Sequence, residues 1–318
     1  MNVKRISDDE SNALKSGYTK VTTCGNIIEL MSLEHKNTSN PIVKLSNDYY
    51  VLASDFNKST GEVMGEIKEY VHTENRAENA KGLAHSMKVC RDIINCNCSV
   101  VENVRWMTFT YAENMTDPQR LYTDRKAFWM RVKRWHKEKN LPTPEYIAVA
   151  EPQGRGAWHL HELWIYPTKA PYLPNNEIAR LWTHGFVTVK KLENCDNVGA
   201  YVTAYLCDVP LDECEATYAT TAIKEVEILQ DDGTKIKKKY VKGARLNLYP
   251  SGMNFYRTSR GVRKPNVEWM NTKQAKEKVS AATKTFSKDI RIETDNGFTQ
   301  DISYEYYNSV RGSRQDKQ

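Results

Sequence analysis

Hydrophobic and polar residues alternate most regularly in the middle third of the chain. Four segments there are rich in β-branched and aromatic residues and are short enough for strands: 104–113, 145–151, 157–166 and 186–192. The second and third are separated only by "PQGRG" (152–156), which is typical of a turn. These two segments are therefore predicted to form a β-hairpin.

Helical spacing separates the predicted strands. Thr116 or Asp117 is suited to cap a helix that starts at Pro118. Apolar residues then recur on one face of it: Leu121, Phe128, Trp129, Val132 and Trp135. The opposite face is basic.

Two more helices follow. "LPNNEIARLWTHG" predicts a helix that stops at Gly185, and Asp196 or Asn197 is suited to cap another that ends before Pro210. The order β-α-β-β-α-β-α predicts an α+β fold, an antiparallel sheet with helices packed on it.

The flanking regions carry weaker patterns. Strands are predicted at 17–24 and 49–54 and a helix at about 75–93. Turn residues at 231–233 and 295–297 each lie between strand-like runs and predict hairpins. The last residues, "VRGSRQDKQ", are typical of a disordered tail.

Charge is unevenly distributed. The net charge is +6, yet Thr234–Lys264 alone has ten Lys and Arg and no Asp or Glu. Gln119–Lys139 has eight Lys and Arg against two acidic residues. Either run alone is typical of a solvated face, but both are interleaved with aromatic residues, which favours a partner with a phosphate backbone.

Other classes are disfavoured. No apolar run is long enough to span a membrane and the N-terminus has no signal-peptide pattern, so we expect a cytoplasmic protein without a membrane partner. Seven scattered cysteines argue against a disulfide framework. Cys96 and Cys98 lack a second ligand pair for zinc, and we interpret them as ordinary thiols.

Two histidines in the strand "AWHLHELWIY" carry the first sign of chemistry. Strand alternation puts His159 and His161 on one face, roughly 6 to 7 Å apart. Glu151 ends the preceding strand and offers a third ligand across the turn. A His/His/Glu set suits Mn²⁺ or Mg²⁺ and also accepts Zn²⁺. Glu162 falls on the opposite, apolar face, and the sequence identifies no partner for it.

Two tyrosines follow on the last predicted helix of this region. Tyr201 and Tyr205 stand at i and i+4, so their hydroxyls share one face. They either fill the edge of a core or act as nucleophiles. A tyrosine, with a pKa near 10, attacks poorly unless a metal stabilises the developing charge.

In this order and spacing, three motifs closely resemble those of HUH endonucleases: "WMTFTYAENMTD", "EPQGRGAWHLHELWI" and "VGAYVTAYLCD". More narrowly they resemble the two-tyrosine rolling-circle replication initiators (Rep proteins) of bacterial plasmids, phages and integrative elements. The resemblance covers Val104 to Asp208, and "LNLYPSGMNFYRTSRGVRKP" is similar to the region downstream of these motifs in Gram-positive initiators.

The resemblance implies a ferredoxin-like HUH sheet flanked by helices, with N- and C-terminal extensions. It implies a catalytic domain at 101–215, an N-terminal region of unknown role at 1–100 and a basic, DNA-contacting region at 216–318. The implied metal ligands are Glu151, His159 and His161, binding Mn²⁺ or Mg²⁺, and the implied nucleophiles are Tyr201 and Tyr205, with Tyr205 favoured to act first.

The implied activity is strand-specific DNA nicking and strand transfer through a 5′-phosphotyrosyl link. The implied partners are single-stranded and duplex origin DNA, a host helicase and a polymerase. Family members often carry a lysine three residues after a motif tyrosine, where this chain has Ala204 and Asp208. Lys190 and Lys191 are candidates for that role. We expect DNA contacts from Lys190, Lys191, Lys237, Lys238, Lys239, Arg257, Arg260, Arg263 and Lys264.

Three alternatives stay open at this point. A mobilisation relaxase or an HUH transposase shares the chemistry. The missing lysines are also compatible with a catalytically inactive DNA-binding relative. A metallohydrolase that uses water as nucleophile, with both tyrosines merely packed, is the third.

Overall fold

A computed structural model describes residues 2–14, 18–35, 42–70, 80–153, 155–192, 197–199, 203, 209–210, 223–229, 235–241, 248–254, 256–294 and 297–310. The strands are β1 Asn2–Ile6, β2 Tyr18–Cys24, β3 Ile27–Leu33, β4 Ile42–Lys44, β5 Tyr49–Leu52, β6 Lys68–Glu69, β7 Val104–Thr110, β8 Glu145–Pro152, β9 Trp158–Ile165, β10 Val187–Lys191, β11 Val209–Pro210, β12 Ile223–Leu229, β13 Lys235–Val241, β14 Tyr256–Thr258, β15 Asn266–Met270, β16 Thr283–Glu293 and β17 Thr299–Asn308. The helices are α1 Ala80–Asn97, α2 Pro118–Glu138, α3 Asn175–Trp182 and α4 Thr272–Lys278.

The chain divides into two compact units. One comprises 1–22, 28–74 and 267–318, and the other comprises 23–27 and 75–266. The second unit contains the whole segment that resembles HUH endonucleases. The boundaries predicted at residues 100 and 215 stay a prediction.

A five-stranded antiparallel sheet forms the centre of the second unit. Its order is β10-β7-β9-β8-β14, so β9, which carries the two histidines, lies in the middle. The predicted succession β-α-β-β-α-β is confirmed by β7, α2, β8, β9, α3 and β10. The α+β class is also confirmed, with antiparallel sheets flanked by few helices, as expected of an HUH-like, ferredoxin-type fold.

Helix α2 forms for the reasons that the sequence indicates. Asp117 adopts an extended conformation and its carboxylate accepts a hydrogen bond from the Gln119 amide at 2.8 Å, while Pro118 occupies the first turn. The predicted apolar face is buried, with Trp135 packed at its margin. Phe128 contacts Trp164 and Trp182 edge-on or stacked, which fixes α2 and α3 against the sheet.

Glu162 has its partners on this packed face. Its Oε1 accepts from Arg125 Nε and its Oε2 from Trp164 Nε1, both at 2.7 Å, and the residue is 1% exposed. The guanidinium of Arg125 also lies 4.0 Å from the centre of the Tyr146 ring. A carboxylate among tryptophans is therefore neutralised by an arginine from α2, whose position relative to β9 the sequence pattern does not reveal.

The end of α3 differs from the prediction. The helix stops at Trp182, and Thr183, at φ +68°, takes the left-handed cap position expected of Gly185. Gly185 instead lies against the end of β7, where a Cβ atom would come within 2.4 Å of the Thr110 carbonyl oxygen. It allows close backbone approach rather than ending the helix.

Other sequence predictions on the flanks agree with the described residues. The strands at 17–24 and 49–54 are confirmed by β2 and β5, and the helix predicted at 75–93 is α1. Two hairpins are confirmed by the antiparallel pairs β12–β13 and β16–β17, although the turn at 231–233 lies outside the described residues. The C-terminal tail from 311 also lies outside them.

The first unit is built on a separate six-stranded sheet. Its order is β1-β16-β17-β3-β2-β15. Val21, Leu30, Ala275, Val279 and Tyr307 form its buried apolar cluster. A small sheet with the order β4-β5-β6 completes this unit.

Candidate metal centre

Strand pairing brings together the three predicted metal ligands. On adjacent strands Glu151 is directly opposite His159, and Val149 is opposite His161. Alternation puts both histidines on the face of β9 opposite Glu162. The hairpin loop holds this arrangement through Gln153, whose amide donates to the Ala157 carbonyl at 2.8 Å.

The three side chains converge to the size of a single-ion site. Each offers one ligand atom, and these atoms all lie within 4.8 Å of one another. Two ligands that each bind one ion at about 2.1 Å are at most about 4.2 Å apart, so small side-chain movements suffice. Glu151 Oε2 is in direct contact with His161 Nε2. The cluster could therefore hold a metal ion.

Neighbouring side chains orient both imidazole rings. His161 Nδ1 lies 3.2 Å from Thr108 Oγ1 and 3.5 Å from Trp106 Nε1, both on β7. His159 Nδ1 lies 3.3 Å from Gln153 Nε2. In both rings Nδ1 is thus engaged and Nε2 is left for a ligand, which is the usual arrangement of metal-binding histidines.

Burial keeps the two imidazoles neutral. Desolvation lowers the pKa of His161 to about 4, and desolvation, with His161 and Arg155 nearby, lowers the pKa of His159 to about 4. Neutral imidazole is the form that binds metal. His159 Nε2 is buried and has no hydrogen-bond partner in the described part of the chain. Such an atom costs about 1 to 3 kcal/mol unless a ligand satisfies it, so the residues present fit a divalent cation.

The two lysines proposed to replace the missing motif lysines lie on opposite faces. Lys190 is opposite Trp106 and Lys191 opposite Arg105 in the β10–β7 pair. Because Trp106 shares a face with Thr108, the register puts Lys190 on the histidine face and Lys191 on the other. Both lysines are exposed.

The predicted nucleophiles Tyr201 and Tyr205 lie outside the described residues, as do Ala204 and Asp208. Around them, Val198, Gly199 and Thr203 are helical. Thr203 Oγ1 donates to the Gly199 carbonyl at 2.7 Å, and the Gly199 amide donates to Asn95 Oδ1 of α1 at 2.8 Å. A Cβ atom at Gly199 would approach the Arg91 carbonyl oxygen to 2.3 Å, so this segment crosses α1 closely.

The predicted DNA-contacting residues occupy several places. Lys237, Lys238 and Lys239 are on β13, where they are opposite Glu227, Val226 and Glu225 of β12. Exposed Arg257 has its guanidinium 4.0 Å from the centre of the Tyr122 ring. Arg260, Arg263 and Lys264 are exposed beyond β14.

Sequence reasoning missed the residues that support the histidines. Thr108, Trp106 and Gln153 are found only once the register of β7, β8 and β9 is known. A signal was present, because Trp106, Thr108 and Thr110 alternate along one face of a strand predicted next to the histidine strand.

Within the described residues no helix is long and apolar enough to cross a membrane. Comparison with curated proteins and with solved structures gave no match. Residues 104–209, about a third of the chain, match the family model of the replication-associated protein ORF2. These limits nearly coincide with the segment that resembles HUH endonucleases, and the predicted resemblance to a replication initiator is confirmed at the level of this family. The chain therefore carries, in residues 104–209, the domain of the replication-associated protein ORF2 family.

Proposed function

We propose that this protein is a two-tyrosine rolling-circle replication initiator that nicks one DNA strand and stays linked to its 5′ end. The observation that carries the proposal is the convergence of Glu151, His159 and His161 on one sheet face within a replication-associated domain. A pair of tyrosines at helical spacing follows it in the same segment.

The reaction needs no external energy source. The hydroxyl oxygen of Tyr201 or Tyr205 attacks the scissile phosphorus and loses its proton to solvent. The bond between phosphorus and the 3′ oxygen breaks, and that oxygen takes up a proton to become a 3′-OH primer. Because one phosphoester replaces another, the 5′-phosphotyrosyl link conserves the bond energy for a later strand transfer.

Each remaining group has a defined task. A divalent ion, Mn²⁺ or Mg²⁺, when bound by Glu151, His159 and His161, polarises the phosphate and stabilises the charge that develops. Thr108 and Trp106 keep His161 oriented. Lys190, on the histidine face, is suited to neutralise the phosphate or the leaving oxygen. Tyr205 acts first and Tyr201 attacks the regenerated junction.

The biological setting follows from the family. A replication-associated domain favours an initiator over a mobilisation relaxase or an HUH transposase, which share the chemistry. In this setting the free 3′-OH primes a host polymerase while a host helicase separates the strands. Single-stranded or extruded origin DNA enters the site, and duplex DNA flanks it.

A covalent-adduct assay tests the proposal. The protein is incubated with Mn²⁺ and a library of random single strands, labelled in separate pools at the 3′ or the 5′ end, and resolved on a denaturing gel. We expect adducts with the 3′-labelled pool only, because the protein keeps the downstream fragment. EDTA and the Tyr201→Phe, Tyr205→Phe double variant should abolish them. Nicking without any adduct would favour a metallohydrolase, and DNA binding without nicking would favour the inactive relative.

A further inference from the structure

An open groove lies at the far end of β8 from the metal cluster. It has a volume of about 1180 Å³ and is formed by the C-terminal half of α2, the loop at 140–144, the start of β8 and the residues after β14. It therefore brings together parts of the two basic stretches that the sequence singles out.

Three exposed cations line this groove. Lys133 and Lys137 come from α2 and Arg260 from the segment after β14. None of them forms an ion pair with another described residue. Other cations of α2 are already engaged, since Arg131 donates to carbonyl oxygens of α3 and Lys139 pairs with Glu177 at 3.4 Å.

The carboxylate of Glu145, which also lines the groove, has a structural partner. Glu145 Oε2 accepts a hydrogen bond from the Gly261 amide at 3.1 Å. A Cβ atom at residue 261 would lie 2.3 Å from the Glu145 carboxylate, so the contact needs glycine. The lining is thus left with an excess of positive charge, which is complementary to phosphates.

The aromatic residues of the groove are not available for stacking on bases. Trp129 is 9% exposed and packs edge-on against Tyr146 and Trp164. Tyr146 has the Arg125 guanidinium over its ring. Recognition of single strands uses open aromatic faces, whereas a duplex presents only its backbone to a basic groove of this kind.

We propose that the groove lined by Lys133, Lys137 and Arg260 binds the phosphate backbone of the duplex that flanks the nicking site. Glu145 and Glu151 are six residues apart on β8, which corresponds to about 20 Å. Since duplex DNA rises about 3.4 Å per base pair, the contacted phosphates lie about six base pairs from the scissile phosphate. The inference rests on the proposed function for the identity of the nucleic acid.

Duplex affinity tests the assignment. The probe is a DNA hairpin whose loop contains a nicking sequence selected by the adduct assay, and binding is followed by fluorescence anisotropy at several salt concentrations. For the Lys133→Gln, Lys137→Gln, Arg260→Gln variant we expect binding on the order of 10- to 100-fold weaker, with the salt slope smaller by about 2.7. A matched control is Lys58→Gln, Arg134→Gln, Lys169→Gln, which removes the same charge from exposed positions outside the groove and should bind like wild type.

Two further readouts separate the possible failures. Nicking of a short single strand should be unchanged in the groove variant, which also shows that it is folded. Ethylation of phosphates about six base pairs from the nick should weaken wild-type binding but not binding by the variant. Equal duplex binding by the groove variant and wild type would overturn the groove assignment while leaving the nuclease intact. Absence of any wild-type adduct would instead overturn the proposed function.

Discussion

The two faces of β9 treat buried ionisable groups in opposite ways. On the packed face, Glu162 is held by Arg125 and Trp164. On the other face, Glu151, His159 and His161 converge, and His159 Nε2 is buried without a hydrogen-bond partner in the described part of the chain. A folded protein normally satisfies such atoms, so the contrast indicates that the first face serves stability and the second serves a ligand.

The largest expected effect breaks the packed face. Glu162→Ala leaves Arg125 buried without its carboxylate, and we expect the free energy of unfolding to fall by about 3 to 5 kcal/mol. Urea denaturation measures it. The double variant Arg125→Met, Glu162→Leu should recover much of the loss, because an apolar pair leaves no unpaired charge. A single variant as stable as wild type would mean that the ion pair is not formed.

The next effect concerns the open face. His161→Ala should lower Mn²⁺ affinity by more than about 100-fold, since it removes a ligand rather than a supporting residue. Stability without metal should change by less than about 1 kcal/mol. Isothermal titration calorimetry and urea denaturation check the two parts. A loss of stability as large as that of Glu162→Ala would show that the two faces do not differ in purpose.

A subtler change tests how His161 is oriented. Thr108→Val keeps the shape of the side chain but removes the hydroxyl next to His161 Nδ1. Metal affinity should fall about 10- to 100-fold. Thr110→Val is the matched control, because Thr110 lies on the same face of β7 but is opposite His159 rather than His161. Equal effects of the two substitutions would contradict the role of Thr108.

The lysine pair sharpens the comparison further. Lys190→Gln should slow nicking by about 10-fold, as expected for the loss of one phosphate-stabilising charge, whereas Lys191→Gln should change it less than about twofold because the register puts it on the other face. Single-turnover nicking of a defined strand measures both. A greater loss with Lys191→Gln would place the working cation elsewhere.

The smallest effect lies on the packed side, at His136. Burial lowers the pKa of this histidine, although a bond to the Val132 carbonyl opposes the shift. An unfolded histidine titrates near 6.5, so the unfolded state takes up a proton first as the pH falls. The contribution of His136 to stability is therefore complete above about pH 6.5 and is lost below it. An NMR titration should give a midpoint below about 6.5, and a midpoint above it would contradict the burial.

Local patterns predicted the elements that carry the site. The apolar stripe and capping residues of α2, and the alternation of β8 and β9, were sufficient because they depend on neighbouring residues only. Contacts between distant residues were beyond this reasoning. The partner of Glu162 comes from a helix 37 positions away, and the support of His161 from a strand 53 positions away. Register and helix packing decide such contacts, and neither can be derived from spacing in one chain.

The end of α3 shows a different limit. Glycine is the usual residue at a left-handed cap, so Gly185 was the natural stop signal. The structure uses Thr183 there and needs Gly185 for its approach to β7. A glycine required by tertiary contact and one required by a cap have the same appearance in a sequence.

The measurement that tests the central claim most directly is mass spectrometry of the adduct after its DNA is trimmed by nuclease. The account predicts a nucleotide linked through its 5′ phosphate to Tyr205 or Tyr201, formed with Mn²⁺ or Mg²⁺ and absent from His161→Ala. Attachment to any other residue, or a nicked strand with a free 5′ phosphate and no attachment, would contradict it.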